Sequence, residues 1–306
     1  LPGAYTVFRV ELFKGKSHFG ENVTFDETLP TNYLADEVID DNKVNELLAK
    51  KYNETIVIAE DDSEILAYLK DELSTNFRVI AVNNGYDAVK AVMDDEVSLI
   101  LSDVLMPALN GFQLCSNIKS NIATCHIPIV LLTALSDDNQ RIYGIAEGAD
   151  EYIHKPFNMQ YVRLKIIRII EERKRLASTF AQKFGRLTRH EAANLPCVDD
   201  VFRDKLFNLI EAQHSDSNFK IELMSDMLGM SRILLYRKIT SIFGMSPSDL
   251  LRNYRLQKAV QLLTDQRRNV SEVAYIVGFS SPAYFAKCFK SVYNMTPTEY
   301  MYRTRE

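Results

Sequence analysis

Ser98-Leu-Ile-Leu-Ser-Asp103-Val-Leu-Met-Pro-Ala-Leu-Asn-Gly111-Phe-Gln-Leu-Cys-Ser-Asn-Ile-Lys119 is the stretch whose reading decides the fold. It opens on a short, mostly apolar run that ends at a single carboxylate. A Met-Pro and Asn-Gly turn follows, and apolar residues then recur at helical spacing. A strand without polar alternation is buried on both faces, as in a parallel sheet covered by helices. The same unit repeats around it. Strands are expected at Thr55 to Ala59, Arg78 to Val82, Ser98 to Ser102, Ile127 to Leu132 and Glu151 to Ile153. Helices are expected at Glu64 to Leu73, Tyr86 to Met93, Gly111 to Lys119 and Asn139 to Glu147, with a fifth from Met159 to about Leu176. Strands alternating with helices give an α/β doubly wound five-stranded sheet, whose chemistry sits at the carboxyl ends of the strands.

Those ends carry a consistent set of groups. Glu60 and Asp61 follow the first strand, Asp103 ends the third, Thr133 ends the fourth, and Lys155 follows the fifth ahead of Pro156. Any one of them alone serves as a turn or cap residue. Together they form an acidic pocket that suits a hard cation such as Mg2+, which takes oxygen ligands and keeps several waters. A hydroxyl and an ammonium beside Asp103 could hold the oxygens of an aspartyl phosphate.

The segments VIAEDD (57–62), LSDVLMPALNGFQLC (101–115), IPIVLLTA (127–134) and GADEYIHKPF (148–157) resemble the response-regulator receiver family of two-component signalling. The resemblance implies strand order 2-1-3-4-5 and a cis Lys155–Pro156 bond. It implies Asp103 as phosphoacceptor, and Mg2+ held by Glu60 through water, Asp61, Asp103 and the backbone carbonyl of Leu105. Thr133 and Lys155 would contact the phosphoryl group, and the Tyr152 ring would change position on activation. Glu at position 60, where the family more often has Asp, is a common variant.

After residue 195 the pattern is helical throughout. LMSDMLGMSRILLYRKITSIFGMSPSDLL (223–251) and EVAYIVGFSSPAYFAKCFKSVYNMTPTEYM (272–301) look alike. In each, a short helix ends at a glycine, Gly229 or Gly278, and a second helix bearing cations follows. Small residues, Ser225 and Ala274, lie four positions before the glycines, and Asn294 stands where Gly244 stands. Pro247 to Leu263 reads as one connecting helix, about 25 Å long at 1.5 Å per residue. Leu235, Ile239, Phe285 and Phe289 read as core. This stretch resembles the AraC/XylS family of transcription regulators, with two helix-turn-helix units. By position in that family's recognition helices, Arg232, Ile233, Tyr236 and Arg237 would face one major groove, and Pro282, Ala283, Ala286 and Lys287 the next. Lys238 and Lys290 would touch phosphate, which positions without reading sequence.

The chain has 306 residues and a formal net charge of -5. Residues 196–306 hold 15 Lys and Arg against 12 Asp and Glu, a net of +3, which leaves -8 for the rest. An acidic front and a mildly basic back suit a control domain joined to a DNA-binding domain. Cys115, Cys125, Cys197 and Cys288 lack CxxC spacing, which argues against a zinc site or disulfide framework and favours a cytoplasmic setting. No apolar run approaches the roughly 20 residues of a membrane span. GAYTVFRVELFKGKSHF (3–19), with a strand at Tyr5 to Leu12, resembles the closing strand of a sensor histidine kinase's ATP-binding domain.

The expected organisation is therefore a kinase remnant at 1–19, a linker at 20–53 with a short helix near Val44 to Lys50, a receiver at 54–176, a linker at 177–195 and an AraC-type domain at 196–306. The expected function is a response regulator whose Asp103 is phosphorylated by a histidine kinase, pairs as a homodimer and binds DNA. That kinase could belong to the same hybrid parent chain, itself anchored in the inner membrane. The chain is not expected to be an enzyme in its own right. The competing readings are a receiver that only dimerises the DNA-binding domain, and an aspartate-nucleophile phosphohydrolase.

Overall fold

The computed structural model describes residues 41–134, 148–184, 199–265 and 268–303. Helix α1 (Asp41–Ala49) precedes β1 (Thr55–Ala59), α2 (Ser63–Ser74), β2 (Arg78–Val82), α3 (Gly85–Asp94), β3 (Leu99–Asp103), α4 (Gly111–Ser120), β4 (Ile129–Thr133) and β5 (Glu151–His154). All five strands are parallel, in the order β2-β1-β3-β4-β5. Side chains alternate across the sheet. Ile56, Ile58, Leu99, Leu101, Val130 and Leu132 pack on one face with Leu69, Val162 and Ile166. Val57, Ala59, Ile100, Ile129 and Leu131 pack on the other with Ala88, Val92 and Leu114. Both faces are buried, which is why the strand sequences lack polar alternation. The expected helix at Asn139 to Glu147 and the expected front strand at Tyr5 to Leu12 lie outside the described residues.

Sequence sets where the helices around the sheet start. The Asp62 carboxylate accepts from the backbone N–H groups of Glu64 (2.9 Å) and Ile65 (3.1 Å), and so caps α2. Asn84 caps α3. Asn110 and Gln113 form a reciprocal capping box on α4. Such caps satisfy orphan amides and each contributes about 1 kcal/mol.

The C-terminal helices are α6 (Asp200–Gln213), α7 (Ile221–Met227), α8 (Arg232–Phe243), α9 (Pro247–Thr264), α10 (Val270–Ile276), α11 (Pro282–Tyr293) and α12 (Pro297–Arg303), after α5 (Met159–Phe184). The two-fold repetition expected from sequence is present. Ser231 and Ser281 cap the second helix of each unit, accepting from Leu234 N and Tyr284 N. Those helices end at Gly244 (φ 65°) and Asn294 (φ 57°), both left-handed. Ser225 and Ala274 are buried, as close helix packing requires. Leu235, Ile239, Phe285 and Phe289 are fully buried, as core residues. The two units have separate apolar centres, one around Phe207, Ile239 and Tyr254, the other around Ala259, Phe285 and Phe289.

One boundary differs from the sequence reading. The stretch from Ala177, expected to begin a polar linker, continues α5 for another two turns to Phe184. Ala177, Phe180 and Phe184 are buried, at spacings of three and four residues on one helical face. The Phe180 and Phe184 rings stack 5.1 Å apart, and Phe180 meets Phe243 at 4.8 Å. One helix therefore packs on the sheet and enters the core of the first helical unit. Phe180→Ala is expected to lower the unfolding free energy by about 3–5 kcal/mol, read by denaturant titration. A loss below about 1 kcal/mol would place Phe180 outside the core.

Candidate functional site

Neighbouring strands bring the acids together. Ala59 ends β1 and Asp103 ends β3, and the two strands pair directly. Glu60 is buried to 1% exposure and Asp103 to 7%, while Asp61 is exposed. Ligand oxygens of Glu60, Asp61 and Asp103 all lie within 4.8 Å of one another. At an effective dielectric near 20, that spacing gives a repulsion of roughly 3 kcal/mol per pair. Lys155 offsets it. Its Nζ donates to Glu60 Oε2 at 2.8 Å and to Asp103 Oδ2 at 2.9 Å. Lys155 follows β5, two strands from Asp103, and only a long side chain spans that gap. The Lys155–Pro156 bond is cis.

Thr133 is buried at the last position of β4, beside Asp103 in register through Leu132. Tyr152 lies on β5 opposite Leu131, half-buried against the apolar face that contains Ile100 and Leu131. The Leu105 side chain is exposed, in the loop that leaves β3. Gly111 fixes how α4 leaves the pocket. A Cβ there would stand 2.3 Å from the Asp103 carbonyl oxygen and 2.9 Å from Val104 Cα. Only glycine lets α4 start this close to the acid, where its N–H donates to Val104 O at 3.0 Å.

The donor set fits a hard divalent cation: three carboxylates converge, and the two buried ones share one ammonium. Burial pushes the Glu60 carboxyl above its ordinary range, with Asp103 adding to the effect and Lys155 opposing it. For Lys155, burial works against the charge, but hydrogen bonds and the charges of Glu60 and Asp103 hold its pKa above the usual value. A raised lysine pKa contributes stability that is complete below the unfolded value of 10.5 and is lost as pH rises through the folded one. Without divalent cation, stability is expected to fall faster above pH 10.5 in the unmodified chain than in Lys155→Met. Identical slopes in thermal melts across that range would show that Lys155 gains nothing from its two partners.

The second candidate site is the pair of helices α8 and α11. Arg232, Ile233 and Tyr236 are exposed on α8, with Arg232 Nη1 3.0 Å from Glu222 Oε1. On α11, Ala283, Lys287 and Lys290 are exposed, while Pro282 and Ala286 are half-buried. Two residues depart from their expected surroundings. Arg237 is half-buried and donates to backbone carbonyls of α3 and the turn after it. Lys238, expected at a phosphate, is fully buried at the receiver, with Nζ 2.6 Å from Asp199 Oδ2 and 3.2 Å from Cys125 Sγ. Asp199 and Cys125 were not among the expected site residues. One signal could have found the buried lysine: Lys238 stands three residues after Leu235 and four before Ile242, on the core face of α8.

Family models match in two places, a response regulator receiver domain at residues 56–167 and a helix-turn-helix domain at 224–303. A protein of Formosa agariphila named histidine kinase P4 is 35% identical over 98% of this chain, which spans 22% of that protein. The transcriptional regulatory protein GltR of Pseudomonas aeruginosa is 38% identical over 37% of this chain and 47% of its own length. The chain thus spans less than half of each of these relatives. A solved receiver domain of a signal transduction histidine kinase from Syntrophus aciditrophicus is 34% identical, covering 40% of this chain and 93% of that one, with a TM-score of 0.38.

Proposed function

The chain joins a response regulator receiver domain to an AraC-type helix-turn-helix DNA-binding domain, and on that premise we propose that phosphorylation of Asp103 controls its binding to specific DNA. The observation that carries the proposal is the Lys155 ammonium held on two buried carboxylates at the carboxyl edge of the sheet. Asp103 is the acid at the end of a central strand, and an ammonium and a hydroxyl beside it are groups a phosphoryl group needs. In the transfer, a carboxylate oxygen of Asp103 bonds to phosphorus as the P–N bond to a kinase histidine breaks. Lys155 stays beside the new oxygens and offsets their charge, and the Thr133 hydroxyl lies at the next strand end to donate to one of them. Glu60, Asp61, Asp103 and the Leu105 carbonyl would hold Mg2+, which supplies positive charge against the phosphoryl oxygens when bound.

Tyr152 lies on the edge strand β5, where a change at Thr133 can be passed to the outer face. Pairing of two phosphorylated chains would set two DNA-binding domains on adjacent sites. Arg232, Ile233, Tyr236 and Arg237 are assigned to one major groove, and Pro282, Ala283, Ala286 and Lys287 to the next, with Lys290 at a phosphate; Lys238, buried on the core face of α8 against Asp199, is not assigned to one. The match of 98% of this chain to part of a protein named a histidine kinase supports reading the chain as part of a hybrid polypeptide, and a role in binding DNA would place it in the cytoplasm.

Acetyl phosphate with magnesium is expected to label the unmodified chain and not Asp103→Ala; label retained in the variant would defeat the assignment. Arg237→Ala is expected to weaken binding to a duplex selected from a random pool by about 1–3 kcal/mol and to relax one base position. A loss uniform across sequences would make Arg237 a phosphate contact.

A further inference from the structure

The DNA-binding domain has two apolar centres and one helix that serves both. On α9, Leu250, Leu251 and Tyr254 pack into the first, and Leu256, Ala259 and Leu263 into the second. Arg255 stands at the changeover, and its side chain reaches back to the first unit. Its Nε donates to His214 O at 2.8 Å, and its Nη2 donates to Asp216 O at 2.7 Å and to Phe219 O at 3.4 Å. Those three carbonyls belong to the turn between α6 and α7. The second unit rests on the same spot through Gly278, just past the end of α10. A Cβ there would stand 2.1 Å from His214 O and 2.9 Å from Arg255 Nε. The matched glycine of the first unit, Gly229, is also left-handed, at φ 66° against 89°, yet a Cβ on it would meet nothing within 4 Å. Backbone conformation alone accounts for Gly229, whereas Gly278 is also needed for the contact between units.

We infer that Arg255 is a positioning residue for DNA binding: with Gly278 it locks the two helix-turn-helix units at one separation and angle, and so fixes the spacing between the two DNA segments the chain accepts. A guanidinium presents its donors in one rigid plane, and three carbonyls hold that plane in place. Closer approach of the units is blocked by backbone at Gly278, and tilting α9 outward draws Arg255 off its carbonyls. One base pair added or removed between two DNA segments moves the second by about 3.4 Å and turns it by about 35° around the duplex axis. A joint that a single Cβ overfills cannot absorb such a displacement. This role rests on the reading of α8 and α11 as DNA-binding helices, and it adds to that reading a constraint on the geometry of the site.

The test starts from a duplex that the 306-residue chain selects from a random pool, remade with one base pair added or removed between its two contacted segments. The unmodified chain is expected to lose about tenfold or more in affinity for either remade duplex. Arg255→Met keeps the stem and removes the grip, and is expected to bring that loss within about threefold. Gly278→Ala is expected to weaken the discrimination likewise or to move the preferred spacing. Gly229→Ala, a left-handed alanine without the clash, is expected to keep the unmodified preference. The arginine and glycine variants are independent, so one that circular dichroism shows unfolded leaves the other to decide. Unaltered discrimination in folded Arg255→Met, like behaviour of the two glycine variants, or an unmodified chain indifferent to spacing overturns the joint and leaves the DNA reading intact. If no duplex binds the unmodified chain, the DNA reading falls and takes the joint with it.

Discussion

Everything at the carboxyl edge of the sheet depends on one ammonium shared between two buried carboxylates. Glu60 and Asp103 sit close enough to repel, and burial removes the water that would screen them. Lys155 reaches both, and it can do so only because the strand order places β5 within a lysine's length of β3. The arrangement holds more negative charge than one cation balances. A divalent cation or a change in the chemistry of Asp103 therefore alters a real electrostatic load, and the backbone around the pocket is packed tightly enough to feel it. Gly111, with no room for a Cβ, is the closest point of that packing.

The same tightness continues away from the pocket. Helix α5 is shared, ending in an aromatic cluster with Phe207 and Phe243. Lys238 is desolvated between the receiver turn and Asp199. A buried ion pair contributes little net stability, because charges regain water when it opens. The Phe180 cluster, by contrast, opens only at the cost of apolar surface. The aromatic packing keeps the two domains on one helix.

Much of this was legible in the sequence. Five short apolar runs, each closed by a chemically distinct residue, specify the sheet and the pocket, because strand ends in a parallel sheet converge. The helix-turn-helix repeat was legible from Gly229, Gly278, Gly244 and Asn294, whose conformations few other residues adopt. The extension of α5 was missed because Ser178, Thr179 and Gln182 read as polar, although Phe180 and Phe184 keep the helical period. The partners of Arg237 were not legible at all, since they are backbone carbonyls more than a hundred residues away and carry no residue preference.

Control of DNA affinity by the charge at Asp103, as proposed, can be measured directly. A pool-selected duplex is titrated with the chain before and after acetyl phosphate treatment in magnesium, beside Asp103→Asn. Tighter binding by the treated chain and no response in the variant are expected. Equal affinity before and after treatment, with the label shown to be on Asp103, would contradict it.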